Sequence, residues 1–269
     1  MTDDICFAPA LGAWVARHLA RGERPNELVQ AMLDLDIAED AARRIVDAFV
    51  RCRDEGSPAP VDRIDGARVR VLARATRPVL AVLSGVLDDA ECTELIERAR
   101  GRLRPSTLVD PLTGRDVASG QRGSAGTFFR LREDAFIARL DERFAEIMRM
   151  PVANGEGLQV LHYPTGAGSA PHFDFLAPTN TANLASIGRS GQRVSTMVAY
   201  LNDVPAGGET EFPAVGWSVT PQRGHAVLFA YCNDSGELDH DSVHASRPVE
   251  RGEKWVVTKW MRERPFVSA

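Results

Sequence analysis

Lysine is almost missing from this chain: of 32 basic residues only Lys254 and Lys259 are lysines. A compact ammonium and a planar guanidinium are not interchangeable at a tight site, so each surviving lysine is a candidate for specific work. Cysteine is sparse too, with Cys6, Cys52, Cys92 and Cys232 far apart and no CxxC pair. That spacing fits reduced, mostly buried thiols better than a disulfide framework or a cysteine zinc site. No apolar run approaches the length of a membrane span, and the first residues, MTDDICFAPALGAW, are acidic where a secretory leader would be basic. The expectation is a cytoplasmic protein with no membrane partner. Excess positive charge is also absent; a net charge of −5 gives no basic footprint for nucleic acid. What remains, 44% hydrophobic and 26% charged residues over 269 positions, suits one large domain plus an appendage.

From Leu11 to Cys52 apolar residues recur at spacings of three and four through LGAWVARHLA, NELVQAMLDLDI and EDAARRIVDAFVRC. This predicts a small helical appendage over residues 1–55. Residues 54–66, DEGSPAPVDRIDG, carry two prolines and two glycines and read as a linker. Residues 56–76 are accordingly taken as linker and first extended segment, and 77–269 as the main domain. Within it, DDAECTELIERARGR and EDAFIARLDERFAEIMRM predict helices, with short strands around RPSTLVD and QRGSAGTFFRL between them. After Pro151 come GLQVLHY, HFDFL, RVSTMVAYL, ETEFP, GWSVT, HAVLFAY, DSVHAS and KWVVTKWM, short apolar strands divided by glycine and proline turns. Strands of this length and spacing, preceded by helices, predict an α+β protein with an antiparallel double-sheet roll. The polar stretch 176–192, LAPTNTANLASIGRSGQ, is read as a candidate lid loop.

Side chains of a strand alternate faces, so in an extended HFD the imidazole of His172 and the carboxylate of Asp174 point the same way and Phe173 points opposite. A third ligand is sought among the remaining histidines. His244, in the strand-like DSVHASRPV, is the choice, and His240 in the preceding polar turn is its rival. His162 is expected to face away from Tyr163, His225 to be exposed in a turn, and His18 to be an ordinary helix residue. Two imidazoles and one carboxylate leave open positions on a metal, an arrangement that suits non-haem Fe(II) and oxygen activation. In GEKWVVTKWMR one face carries Lys254, Val256, Thr258 and Trp260. An inward lysine is costly unless it meets an anion, so Lys254 is expected to have an acidic ligand or partner. Lys259, on the other face, is expected to be a solvated charge.

HFD, the later His244 and Lys254 in GEKW resemble the ligand pattern of 2-oxoglutarate- and Fe(II)-dependent dioxygenases, in particular the prolyl 4-hydroxylase family with its alpha-subunit catalytic domain. RPVLAVLSGVLDDAECTELIERAR, QRGSAGTFF, EGLQVLHYPTGAGSAPHFD, GGETEFP, TPQRGHAVLF and HASRPVERGEKWVVTKWMR follow in the family's order, so the likeness spans about residues 77–266. The chain departs from the family pattern at Ser169, where a second tyrosine is usual, and at Gly123, where threonine is usual. The resemblance implies a double-stranded β-helix core, the jelly roll of cupin-like proteins, with supporting helices. It implies that His172, Asp174 and His244 hold Fe(II) and that Lys254 pairs with the distal carboxylate of 2-oxoglutarate, while Tyr163, Thr258 and Trp260 line that pocket. The implied reaction consumes 2-oxoglutarate and O2, releases succinate and CO2, and hydroxylates a C–H bond, foremost C4 of a proline in a peptide or protein. Ascorbate as reductant and a homodimer are further expectations. The alternatives are a hydroxylase of a free or carrier-bound amino acid, or a non-catalytic roll that binds a metal and an anion.

Overall fold

The computed structural model describes residues 69–105, 107–109, 116–118, 123–231 and 238–268, and of the N-terminal stretch 14, 15, 18, 23–35, 37–43, 45 and 46. The chain divides into two units, Met1–Pro60 and Val61–Ala269. In the first, α1 (Pro25–Leu33) opens with proline at its first position and buries Leu28, Val29 and Met32. These pack with Val15, Ala42, Ile45 and Val46 into a small apolar core. The expected linker, three of the four cysteines and the far ends of the expected appendage lie outside the described residues.

The second unit holds sixteen strands and three helices among the described residues. The strands are β1 (Arg70–Thr76), β2 (Val79–Ser84), β3 (Arg104–Pro105), β4 (Thr107–Val109), β5 (Asp116–Ala118), β6 (Ala125–Phe129), β7 (Leu158–Tyr163) and β8 (Ser169–His172). There follow β9 (Arg193–Tyr200), β10 (Ala206–Gly207), β11 (Thr210–Phe212), β12 (Trp217–Val219), β13 (Ala226–Ala230), β14 (His244–Ser246), β15 (Val249–Arg251) and β16 (Lys254–Arg262). The helices are α2 (Asp89–Arg100), α3 (Ala135–Ile147) and α4 (Thr181–Ser190). An eight-stranded sheet runs β1-β2-β13-β9-β16-β7-β6-β3, and a four-stranded sheet runs β12-β11-β14-β8. The pairs in both are antiparallel, as in a jelly roll.

Alternation along the strands splits the apolar residues into two cores. Trp255, Val257 and Met261 of β16, Leu158 and Val160 of β7, and Met197 and Ala199 of β9 pack on Leu95 of α2 and on Leu140 and Phe144 of α3. The opposite faces send Val256, Leu161, Tyr163, Tyr200 and Val227 into the roll with Phe212 of the smaller sheet. Helix starts follow the sequence. Asp88 caps α2 by accepting from the Glu91 N–H, and Glu91 bonds back to the Asp88 N–H, a reciprocal capping box. Asp134 caps α3 through the N–H groups of Phe136 and Ile137. Arg143 of α3 then clamps the buried Glu91 carboxylate with two bonds of 2.6 and 2.8 Å, tying the helices together.

Three local expectations change. β8 ends at His172, so HFD is not a strand; Phe173 and Asp174 begin the following turn. The stretch 176–192 is mostly helix: Asn180 caps α4, and the Gln192 side chain exchanges two hydrogen bonds with the Leu176 backbone, closing the base of the excursion. The C-terminal end of α4 is held by Arg262, which donates to the Ser186 and Gly191 carbonyls, and by Arg264, which donates to those of Ile187 and Gly188. Cations at helix C-terminal carbonyls satisfy orphan acceptors and oppose the helix dipole.

Lys259 is the third correction. It does face away from the roll, yet that face is covered by helix α3, and the side chain is 0% exposed. Its Nζ donates to Asp141 of α3 at 2.7 Å and to the Glu156 carbonyl at 2.6 Å. Lys259→Met strands the Asp141 carboxylate in this buried interface and is expected to lower the unfolding free energy by about 3–5 kcal/mol in denaturant titrations. A loss below about 1 kcal/mol, the range of solvated pairs, would show that the pair is not buried in solution.

Candidate metal centre

Antiparallel pairing of β8 with β14 sets His172 directly opposite His244. The strands come close because Gly168 lacks a side chain: a Cβ there would lie 2.6 Å from the Ser246 carbonyl oxygen. The Ser169 hydroxyl, accepting from the Ser246 N–H at 2.9 Å, ties the same crossing. Two residues past His172 the turn brings Asp174 to the pair. One ligand atom from each of His172, Asp174 and His244 can be chosen so that all lie within 4.8 Å of one another. Asp174 Oδ1 is 3.8 Å from His172 Nε2, and Asp174 Oδ2 is 3.6 Å from His244 Nε2.

The tautomers suit a metal. His172 Nδ1 lies 2.9 Å from the Ala170 carbonyl and His244 Nδ1 3.1 Å from that of Ser242. A carbonyl only accepts, so in these bonds each Nδ1 carries the hydrogen, which leaves Nε2 of each ring as the atom that faces Asp174 and a metal. Burial alone would raise the Asp174 pKa. His244, His172 and Arg193 together with the Thr196 hydroxyl reverse this and hold it at about 2. The donor set is thus two imidazole Nε2 atoms and an ionised carboxylate, the set that suits a divalent iron.

Deeper in the roll stands Lys254, paired in register with Tyr163. Its side chain is buried, donates to the Ser246 hydroxyl at 2.8 Å, and lies over the rings of Tyr163 and Tyr200 at 5.4 and 5.7 Å. Among the described residues no carboxylate comes within ion-pair distance of it. Burial pushes its pKa down to about 7, with Glu209 opposing from farther away. A buried ammonium in an aromatic and hydroxyl pocket fits the distal carboxylate of a dicarboxylic acid. Thr258 is also buried on this face of β16.

Trp260, on the same strand face, lies at the other end of the row. The Arg193 guanidinium is 4.2 Å from its ring centroid, and the exposed Phe128 is 6.5 Å away. Arg193 makes a two-bond pair with Glu156 at 2.7 and 2.8 Å, and Arg262 adds a third bond at 3.0 Å. This network was not anticipated, nor were Tyr200, Thr196 or Tyr231. Scarcity could have found the tyrosines: the chain has only three, and two flank Lys254 while the third, Tyr231, meets the Asp174 hydrogen-bond partner Thr196.

The other histidines stand apart. His240 is exposed and sits edge-on to Phe173 and Phe175, at 5.4 and 5.7 Å. His162 faces the helices, stacked on Trp255 and bonded to Glu253 at 2.8 Å. His225 is half-buried rather than exposed. His18 pairs with Glu23 at 2.7 Å in the N-terminal unit.

Residues 158–262 match the model of the 2OG-Fe(II) oxygenase superfamily. A protein of Arabidopsis thaliana called probable prolyl 4-hydroxylase 3 is 40% identical over 204 residues, covering 68% of this chain and 69% of that one. Prolyl 4-hydroxylase 1 of the same plant is 40% identical over 202 residues, 70% of each chain. Among solved structures, the viral collagen prolyl hydroxylase of Paramecium bursaria Chlorella virus-1 in complex with 2OG is similar with a TM-score of 0.53. It is 25% identical, over 68% of this chain and 95% of that one. With the roll, the paired histidines, Asp174 and the buried lysine in place, the chain belongs to the 2OG-Fe(II) oxygenase superfamily and is a dioxygenase that works with Fe(II), 2-oxoglutarate and O2.

Proposed function

We propose that this dioxygenase hydroxylates C4 of a prolyl residue in a peptide or protein. The observation that carries the substrate class is the likeness to prolyl 4-hydroxylases, 40% identical over 204 and 202 residues. Iron bound here with 2-oxoglutarate supplies the oxidative decarboxylation that yields succinate and CO2 and delivers one oxygen atom to the C–H bond.

The chain's own residues set the terms of that chemistry. His172 and His244 offer Nε2 and Asp174 a carboxylate oxygen, three ligands that leave three further positions for co-substrate and O2. Lys254 takes the distal carboxylate of 2-oxoglutarate, with Tyr163 and Tyr200 over its ammonium and Ser246 sharing its hydrogen bonds. Thr258 completes the wall, and Trp260 with Phe128 lines the outer end, where a proline ring finds aromatic surface. The buried Val227 and Phe229, with the methyl-bearing side chains around them, keep water from the interior. Ascorbate as auxiliary reductant, a cytoplasmic setting and a homodimer belong to the same proposal.

Three outcomes are expected. His172→Ala, Asp174→Ala and His244→Ala lose Fe(II) binding in anaerobic titration, whereas His240→Ala keeps it; the reverse pattern for the last two would move the third ligand to His240. The affinity for 2-oxoglutarate depends on pH through Lys254. With its pKa at about 7 in the free protein and raised by a bound dicarboxylate, binding is full below about pH 7. Above that it weakens by up to about tenfold per pH unit, because the ammonium must first regain its proton. Lys254→Met weakens binding and removes this slope in 2-oxoglutarate titrations of the metal-loaded protein. Finally, a panel of proline-containing peptides and free amino acids incubated with enzyme, Fe(II), 2-oxoglutarate and O2 is read by mass spectrometry. A gain of one oxygen on a peptidyl proline is the expected result; a gain confined to free amino acids would overturn the peptide substrate.

A further inference from the structure

The carboxylate of Asp174 has two oxygens and both lie on the ligand side, Oδ1 toward His172 and Oδ2 toward His244. Nothing in the two histidines decides whether one oxygen or both would meet a metal. The decision has a chemical consequence. A six-position Fe(II) held here would need places for two imidazoles, one carboxylate oxygen, 2-oxoglutarate and O2, so a second carboxylate oxygen would take a place that a co-substrate needs.

Strand β9 holds Asp174 twice. Arg193 Nη1 lies 3.3 Å from the Asp174 carbonyl oxygen, and three residues on, Thr196 Oγ1 lies 2.7 Å from Asp174 Oδ2. Thr196 is the one hydroxyl or amide donor to this carboxylate among the described residues. A hydroxyl has a single proton, and a carboxylate only accepts, so Thr196 donates to Asp174 and keeps its own oxygen as an acceptor. The Tyr231 phenol, 3.3 Å from Thr196 Oγ1, supplies the hydrogen for it. Tyr231 follows β13, whose register with β9 sets Phe229 opposite Thr196, and its own N–H bonds to the Val194 carbonyl. Thr196 is 0% and Tyr231 1% exposed, so solvent does not replace either group.

We propose that Thr196, supported by Tyr231, is a positioning residue that occupies Asp174 Oδ2 and so presents Oδ1 alone as the ligand, keeping a coordination position open for the co-substrates. The proposal rests on the reading of His172, Asp174 and His244 as the iron ligands. Partners of ligating groups commonly matter to metal affinity by about 10–100-fold.

The test uses Co(II) as the probe, titrated into the metal-free full-length protein and followed by visible absorption, then 2-oxoglutarate titrated into the Co(II) protein. Thr196→Val keeps the shape and removes the donor. The expected result is weaker Co(II) binding by about tenfold or more and, separately, weaker 2-oxoglutarate binding, because the freed Oδ2 competes for its position. Thr196→Ser restores both. Tyr231→Phe shifts both in the same direction by less, and Thr196→Val with Tyr231→Phe is no worse than Thr196→Val alone, since the relay is already broken. If the wild type binds no Co(II), the metal-site reading itself fails. If the wild type binds while Thr196→Val matches it in both titrations, the positioning role fails alone. Failure of Thr196→Ser to restore binding would overturn it as well, by pointing to the methyl group. Thermal melting of each variant identifies a folding defect, and Tyr231→Phe, which removes one oxygen atom, provides the readout if Thr196→Val does not fold.

Discussion

The antiparallel register of β8 on β14 is the constraint on which the site depends, because it alone sets His172 across from His244. Side chains on paired strands share a face only in the correct register, and a slip of one residue would turn one imidazole out of the site. The sequence around the crossing resists that slip. Gly168 admits the Ser246 carbonyl where no Cβ fits, and the Ser169 hydroxyl takes the Ser246 N–H. Ser246 in turn accepts from Lys254. One short strand therefore carries both the proposed iron ligand His244 and a partner of the proposed co-substrate lysine, so the same hydrogen-bond ladder would position metal and 2-oxoglutarate together.

Charge is distributed on both sides of the large sheet. On the helix side, Lys259 and Asp141 form a closed pair that also grips the Glu156 carbonyl. On the roll side, the Glu156 carboxylate gathers Arg193 and Arg262; Arg193 reaches the Asp174 carbonyl and the Trp260 ring, and Arg262 reaches the end of α4. These ions are satisfied, as buried ions must be. Lys254 differs: no carboxylate stands within ion-pair distance of it among the described residues. In a structure that neutralises its other buried cations so thoroughly, that exception marks where an anionic ligand belongs.

Much of the fold was legible. The helices at Asp89–Arg100 and Ala135–Ile147, the strands after Pro151 and the inward face of β16 follow from periodicity and capping residues. Strand length and spacing pointed to the double-sheet roll, and the likeness to the family supplied the reaction class. What failed to show did so for identifiable reasons. Alternation tells which face of β16 Lys259 is on but not what covers that face, and a helix rather than water covers it. The strand assigned to HFD stops at His172, and Asp174 reaches the site by a turn whose geometry no two-residue period encodes. Helix α4, TANLASIGRS, is rich in serine, glycine and asparagine, poor helix formers; its stability comes from Asn180 at its start and two distant arginines at its end. Thr196 and Tyr231 were hidden because a hydroxyl on a strand carries no signal of its partner, although the rarity of tyrosine was there to be used.

The central claim is that one register assembles a three-ligand iron site with a lysine-held co-substrate beside it. A crystal structure of the protein with Fe(II) and 2-oxoglutarate, grown without oxygen and with the metal located by anomalous scattering, tests it most directly. The account requires a single iron on His172 Nε2, His244 Nε2 and the Asp174 carboxylate, with the distal carboxylate of 2-oxoglutarate on Lys254 Nζ. Iron on any other set of side chains, or 2-oxoglutarate bound away from Lys254, would contradict it.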